Sequence, residues 1–214
     1  MTLVLHSYWR ATAPYRVRIA LNLKGLAYEY SPVDLLAGAQ RGEDYLRLNP
    51  QGLTPCLQTD DGLYLTQSLA IIEWLEETHP APPLLPSAPE DRAVVRAMAG
   101  IVACDIHPLN NLRVQRQLKA LGVDEDGRNV WTQRWIEDGF AALESIIAAN
   151  TAGFAFGAEP TLADCLLIPQ VYSAERYAVG LDPYPAIAAV VARCESHPAF
   201  QAAHPDRQPD AKAI

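Results

Sequence analysis

The sequence predicts an α/β domain over residues 1–80 and an all-α domain over 89–207, joined by a proline-rich linker at 81–88 and followed by a short tail at 208–214. Three observations predict it. The first eighty residues alternate short apolar runs with helical periodicity. The stretch His79-Pro80-Ala81-Pro82-Pro83-Leu84-Leu85-Pro86 breaks any helix, and its prolines limit flexibility. Beyond it, apolar residues recur at helical spacing and no further strand pair is evident.

Leu3-Val4-Leu5 reads as a short buried strand. Thr12 can cap the helix that follows, Pro14 suits a first turn where no amide bond is lost, and Gly25 ends the helix after Lys24. A strand around Tyr28 to Val33 completes a β-α-β opening, followed by polar, turn-rich sequence. Pro55–Thr59 and Leu63–Leu65 flank Asp60-Asp61-Gly62 as two strands of a tight hairpin. From Ser68, a credible N-cap, to Thr78, Leu69, Ile71, Ile72, Trp74 and Leu75 leave Glu73, Glu76 and Glu77 as a polar helical stripe. In the second domain Val94, Met98, Ile101 and Val102 share one helical face, and Trp131, Trp135, Ile136, Phe140, Leu143 and Ile147 lie on others. Pro108 is expected to bend the chain after Ile106-His107, and Thr161-Leu162-Ala163-Asp164 to open another helix as a capping box with Asp for the usual Glu. The tail from His204 onward, rich in proline and charge, is expected to be loosely ordered.

The formal charge of −8 comes from 25 acidic and 17 basic residues with no basic block, which argues against a nucleic-acid surface or a polybasic membrane patch. An anionic ligand therefore needs local arginines. No charged region followed by an apolar core opens the chain, and its apolar runs fall short of the roughly 20 residues that span a bilayer, so a cytoplasmic protein is expected. Cys56, Cys104, Cys165 and Cys194 are widely separated, with no metal-ligand spacing, and read as reduced thiols; no metal is expected.

The chemistry concentrates where the first strand gives way to the first helix. First-turn amides and the positive dipole end at Thr12 to Tyr15 favour a thiolate, carboxylate or phosphate, although an ordinary capped helix has the same composition.

The domain order, with Thr54-Pro55 and Gln67-Ser68 in sequence, resembles a cytosolic glutathione transferase, over essentially residues 1 to 207. Arg10 followed after four intervening residues by the run YRVRIALNLKG from Tyr15, then QSLAIIEWLEE from Gln67 and DIHPLNNLR from Asp105, resembles the zeta class specifically, which includes maleylacetoacetate and maleylpyruvate isomerases. The resemblance implies a thioredoxin-like N-terminal domain, an all-α C-terminal domain, glutathione as cofactor and a two-fold homodimer. It also implies cis–trans isomerisation of a small dicarboxylic enone through reversible thiolate addition.

Carried over residue by residue, the resemblance makes Thr54 and Pro55 a cis-proline turn facing the cysteinyl part of glutathione, and Gln67 and Ser68 its γ-glutamyl site. His107, with Asn110 or Asn111, reaches toward the cysteinyl region, while Arg10, Arg113 and Arg176 are candidates for substrate carboxylates. His6 has no such match and is read as structural. The zeta pattern usually has a hydroxyl-bearing run where this chain has Ala11-Thr12-Ala13, and Ala11 cannot donate to sulfur. Lowering a thiol pKa from about 8.5 to about 6.5 needs about 2.7 kcal/mol. A hydrogen bond to a charged group supplies roughly 1.5–3 kcal/mol and a helix start about 0.3–1 kcal/mol. Thr12 and the Ala13 amide, aided by Arg10, are thus the catalytic candidates, with Thr12 as a plain N-cap the competing role. A general zeta-type transferase or haloacid-processing enzyme, and a non-catalytic glutathione-binding module, are the alternative functions.

Overall fold

The structure is a computed structural model and describes residues 3–212. It divides into two compact units: residues up to Leu84 together with those from Glu195 onward, and Leu85–Cys194.

In the first unit a four-stranded sheet runs β2-β1-β3-β4, from β1 (Leu3–Ser7), β2 (Tyr28–Pro32), β3 (Cys56–Gln58) and β4 (Tyr64–Thr66). β1 pairs parallel with β2 and antiparallel with β3, Leu5 lying between Tyr30 and Leu57, and β4 closes the hairpin antiparallel to β3. This is the thioredoxin-like arrangement that the resemblance implies. The two-residue period of β1 buries Leu3, Leu5 and Ser7 on the face shared with α1 (Thr12–Leu23). His6 and Cys56 share the other face, against Tyr45 and Leu48 of α2 (Glu43–Leu48).

α1 is a nearly enclosed helix and α3 (Ser68–Thr78) packs beside it. α1 ends as expected at Gly25: its φ of +64° lets the Leu26 amide reach Leu21 O at 3.0 Å and its own amide reach Asn22 O. The Lys24 ammonium, enclosed at this end, donates to Glu76 at 2.8 Å and to the carbonyls of His79 and Pro82, while Glu76 also accepts from the Leu84 amide. One buried ion pair thus holds the linker against the first unit.

Two expectations fail here. The polar stretch after β2 contains a 3-10 turn (Ala39–Arg41) and α2, both too short and polar to carry a periodic signal. The tail from His204 to Lys212 is ordered, because its side chains rather than an apolar pattern fix it. After α9 (Pro185–Glu195) and α10 (Pro198–Ala203), which packs on α1, Gln208 donates to the carbonyls of Ala202 and His204, and Asp210 accepts from the Trp9 amide and the Tyr30 hydroxyl. The segment from Glu195 therefore belongs with the α/β unit rather than with the helical domain in which the sequence places it.

The second unit is helical: α4 (Pro89–Gly100), α5 (His107–Asn110), α6 (Leu112–Ala120), α7 (Glu125–Asn150), α8 (Leu162–Glu175) and most of α9. Instead of a simple bend at Pro108, Ile101–Ile106 forms a π-helical turn between α4 and α5. Pro108 has no amide to continue the ladder, which explains the loosened winding before it. Twelve of the fourteen residues of α8 are buried, so this helix is the core of the unit. Its start is the expected capping box, with Thr161 accepting from Ala163 and Asp164 accepting from the Thr161 amide.

Gly139 permits the close approach of α7 to the π turn, since a Cβ there would stand 2.3 and 2.4 Å from Ile106 Cδ1 and Cγ1. Gly139→Ala is expected to destabilise by about 1–3 kcal/mol through overpacking. Urea unfolding checks this through a lowered midpoint at constant slope; an unchanged midpoint would mean Ile106 moves aside freely.

Candidate active site

The first helix start differs from its sequence reading by one position. Ala11 is the N-cap, extended at φ −78° and ψ 131°, with no side-chain cap bond, and Thr12 is the first helical residue. The capping role for Thr12 is therefore ruled out by position. The Ala11 amide closes a turn onto Tyr8 O at 3.1 Å, Pro14 has no amide, and the Tyr15 amide returns to Ala11 O. The first turn of α1 thus presents the amides of Thr12 and Ala13 at the helix start, where the dipole is positive. Thr12 is 7% exposed and Ala13 half-buried. Arg10 precedes them, half-buried, with its guanidinium carbon 5.9 Å from the Trp9 ring centre.

The second helix start shows the same one-position shift. Gln67 rather than Ser68 is the N-cap of α3, again without a side-chain cap bond, and Ser68 is its buried first residue. Gln67 has φ +68° and ψ 114°, a strained conformation for a residue with a side chain and one that proteins keep where surrounding structure enforces it. Its side-chain amide donates to Gln51 Oε1 at 2.6 Å. Between the two helix starts, the Arg16 guanidinium, 2% exposed, donates from Nη1 to Ser68 Oγ at 3.3 Å. This bond joins α1, just over one turn from its start, to the first residue of α3 and sets an enclosed positive charge behind Ser68.

Thr54-Pro55 is a cis peptide, as expected, leading into β3. Cys56 follows it, fully buried, and burial pushes its thiol up to about 11, so it stays protonated at neutral pH. Nucleophilic sulfur is therefore not supplied by Cys56. A cavity of about 430 Å³ opens elsewhere in this unit, lined by His6, Ser31, Tyr45 and others, and none of the candidate residues lines it.

The helical unit carries the remaining candidates. His107 opens α5 and is half-buried, and both polar atoms of the Asn110 amide are enclosed without a protein partner among the described residues. Asn111 is the N-cap of α6, its oxygen accepting from the Arg113 amide at 3.1 Å. Of the two asparagines, Asn111 is thus committed to its own helix. Arg113 is exposed on α6, and Arg176 is exposed at the C-cap of α8.

Residues 13–78 match the model of the glutathione S-transferase N-terminal domain and residues 126–193 that of the C-terminal domain, together more than half of the chain. The chain belongs to the glutathione S-transferase family. It is 49% identical over 211 residues to a maleylacetoacetate isomerase of Pseudomonas aeruginosa, covering 98% of this chain and 99% of the relative. The solved holo structure of a maleyl pyruvate isomerase, a bacterial zeta-class glutathione S-transferase, superposes with a TM-score of 0.94 at 47% identity, covering 99% of this chain and all of that one. A maleylacetoacetate isomerase of Methylobacterium extorquens AM1, solved with bound malonate and glutathione, superposes at 0.93 with 39% identity and full coverage of both chains.

Around these helix starts, sequence reasoning missed Arg16 and Gln51. The signal for Arg16 was present: arginines at 16 and 18 interrupt an otherwise apolar helix, which places charge inside a core. Gln51, in a loop, carried no signal.

Proposed function

We propose that this chain is a glutathione-dependent cis–trans isomerase of a small dicarboxylic enone, maleylacetoacetate or maleylpyruvate, in aromatic-acid breakdown. The Arg16–Ser68 bond carries the reading, because it draws two ligand-facing helix starts together around a buried cation. A tripeptide with a free carboxylate and a thiol fits this donor set.

Ser68 and the first-turn amides of α3 take the γ-glutamyl carboxylate, with the Arg16 charge behind them, and Gln67 borders the same site. The backbone at Thr54 and Pro55 holds the cysteinyl part, to which His107 and Asn110 also contribute. When bound, glutathione supplies a thiolate whose reversible addition to the double bond allows rotation about it. Thr12 Oγ1 and the Ala13 amide hold the sulfur in its charged form, and the α1 dipole adds to them. Arg10, Arg113 and Arg176 bind the substrate carboxylates and offset the negative charge that develops at its carbonyl. Cysteines that form no disulfide fit a reducing cytoplasm, and a two-fold homodimer is expected.

The test is glutathione-dependent loss of absorbance of maleylpyruvate and of maleylacetoacetate, side by side, in the wild type, Thr12→Ala and Arg176→Ala. Thr12→Ala is expected to lower turnover about 10- to 100-fold, the worth of one hydrogen bond to a charge. Arg176→Ala is expected to raise KM about tenfold or more. Glutathione binding without turnover of either substrate overturns the isomerase reading in favour of a binding module. Conjugation of haloacids, unaffected by Arg176→Ala, identifies the general transferase instead.

A further inference from the structure

We infer that Asp210, near the end of the chain, is a positioning residue for the catalytic turn, acting on Arg10 through the Trp9 backbone. The inference rests on the role proposed above for Arg10.

Residues Tyr8 to Ala11 form a turn closed by the Ala11 amide on Tyr8 O, with Trp9 and Arg10 at its two central positions. Helical or strand bonding accounts for neither polar group of the Trp9 backbone. Its amide donates to Asp210 Oδ2 at 3.2 Å, and its carbonyl accepts from Arg18 Nη2 at 3.0 Å. The peptide planes on both sides of Trp9 are thus held by long-range side chains, which sets the direction in which Arg10 leaves the turn.

Asp210 is itself fixed from a second side. Its Oδ1 accepts from the Tyr30 hydroxyl at 2.6 Å, and burial, followed by this bond, pushes the Tyr30 phenol upward, so it remains a proton donor. The approach of the tail is fixed by Gln208, buried, donating to Ala202 and His204, and by the His204 ring edge against Tyr15. Arg18 links the same parts from beneath, since its Nε donates to Ala203 O in the segment that leads into the tail. Apolar packing explains none of these bonds, and together they converge on one backbone residue beside Arg10.

The role predicts a specific kinetic pattern. A turn released on one side still carries its arginine but spreads it over more orientations, so the loss falls on capture of the substrate carboxylate.

Four proteins are compared: Asp210→Ala, Asp210→Asn, Arg10→Ala, and Arg10→Ala with Asp210→Ala. Amide hydrogen exchange at Trp9 is followed by NMR, and kinetics are measured with maleylpyruvate and glutathione. Asp210→Ala is expected to accelerate Trp9 amide exchange about tenfold or more and to raise KM about tenfold, with kcat changed less. Asp210→Asn keeps an oxygen for the Trp9 amide and an amide group for Tyr30, and is expected to restore both. In the Arg10→Ala background, Asp210→Ala is expected to add less than about a further twofold. If Asp210→Ala does not fold, Tyr30→Phe, which frees Oδ1 alone, is expected to give a smaller shift of the same kind. Unchanged Trp9 exchange, or equal losses from Asp210→Ala with and without Arg10, overturns the inference and leaves the proposed function standing. If Arg10→Ala itself leaves KM unchanged, the proposed role of Arg10 fails, and the positioning role falls with it.

Discussion

Arg18→Met is expected to destabilise the protein by about 2–4 kcal/mol, the cost of leaving buried carbonyls without their donor. Arg18 is fully enclosed, and its guanidinium donates to three neutral acceptors: Ala203 O from Nε, Ser7 Oγ from Nη1 and Trp9 O from Nη2. The Tyr15 ring lies 5.1 Å from its carbon. Burial lowers its pKa from a very high starting value, so the group stays charged. Methionine keeps much of the stem volume and removes every donor, which leaves the carbonyls of Ala203 and Trp9 without these bonds at about 1–3 kcal/mol each, while the Ser7 hydroxyl keeps its bond to Tyr30. Relief from burying a charge offsets part of that sum. Urea unfolding measures the loss, and limited proteolysis is expected to reach the segment after Ala203 first. A change below about 1 kcal/mol would show that the desolvation relief matches the lost bonds.

The elements legible in the sequence are those whose own periodicity reports burial. α3 spans Ser68–Thr78 as its apolar spacing predicts, and the sheet follows from four short runs and two turns. Elements held by tertiary bonding were not legible. α2 buries Tyr45 alone of its six residues, and the tail is ordered by Gln208 and Asp210, whose partners lie in distant sequence. The π turn before Pro108 depends on how α4 and α5 meet a missing amide, which composition does not encode.

The candidate site could be proposed from the sequence as a set of residues, but its bonding was not legible there. Thr12 and Ser68 looked like caps because hydroxyl residues at helix starts usually bond their own backbone. Here Ala11 and Gln67 occupy the cap positions and make no side-chain cap bond, which places each hydroxyl one residue inside its helix. A helix start that serves a ligand gains from amides not taken by its own cap, so the ordinary capping rule misplaces both. Arg16 escaped for a related reason, since its role exists only once α1 and α3 are side by side.

Asp164→Ala is expected to cost more at low pH than at neutral pH, about 4 kcal/mol near pH 4.5 and about 2 kcal/mol near pH 7. Asp164 is fully buried at the start of α8, where Oδ2 accepts from the Thr161 amide at 2.7 Å and hydroxyl at 2.9 Å, and Oδ1 accepts from the Ala155 amide at 2.8 Å. Alanine leaves these donors buried without acceptors and undoes the cap of the helix that forms the core of its unit. Two effects oppose each other at the carboxyl: burial favours the neutral acid, and the bonds from Ala155 and Thr161 favour the carboxylate. Burial prevails and pushes the group up to about 6. In the unfolded chain it titrates near 3.9. Below about pH 4 both states are protonated; between about 4 and 6 the unfolded chain ionises first, so the stability this group contributes falls as pH rises. Two pKa units correspond to about 2.7 kcal/mol as the upper bound of that fall. Asp164→Asn, which retains one oxygen acceptor and cannot ionise, is expected to lack this term, so wild-type stability relative to it declines from about pH 4.5 to about pH 7. Urea unfolding of the three proteins at both values measures the trend. A penalty for alanine that grows toward neutral pH would mean that the hydrogen bonds, rather than burial, govern this carboxyl.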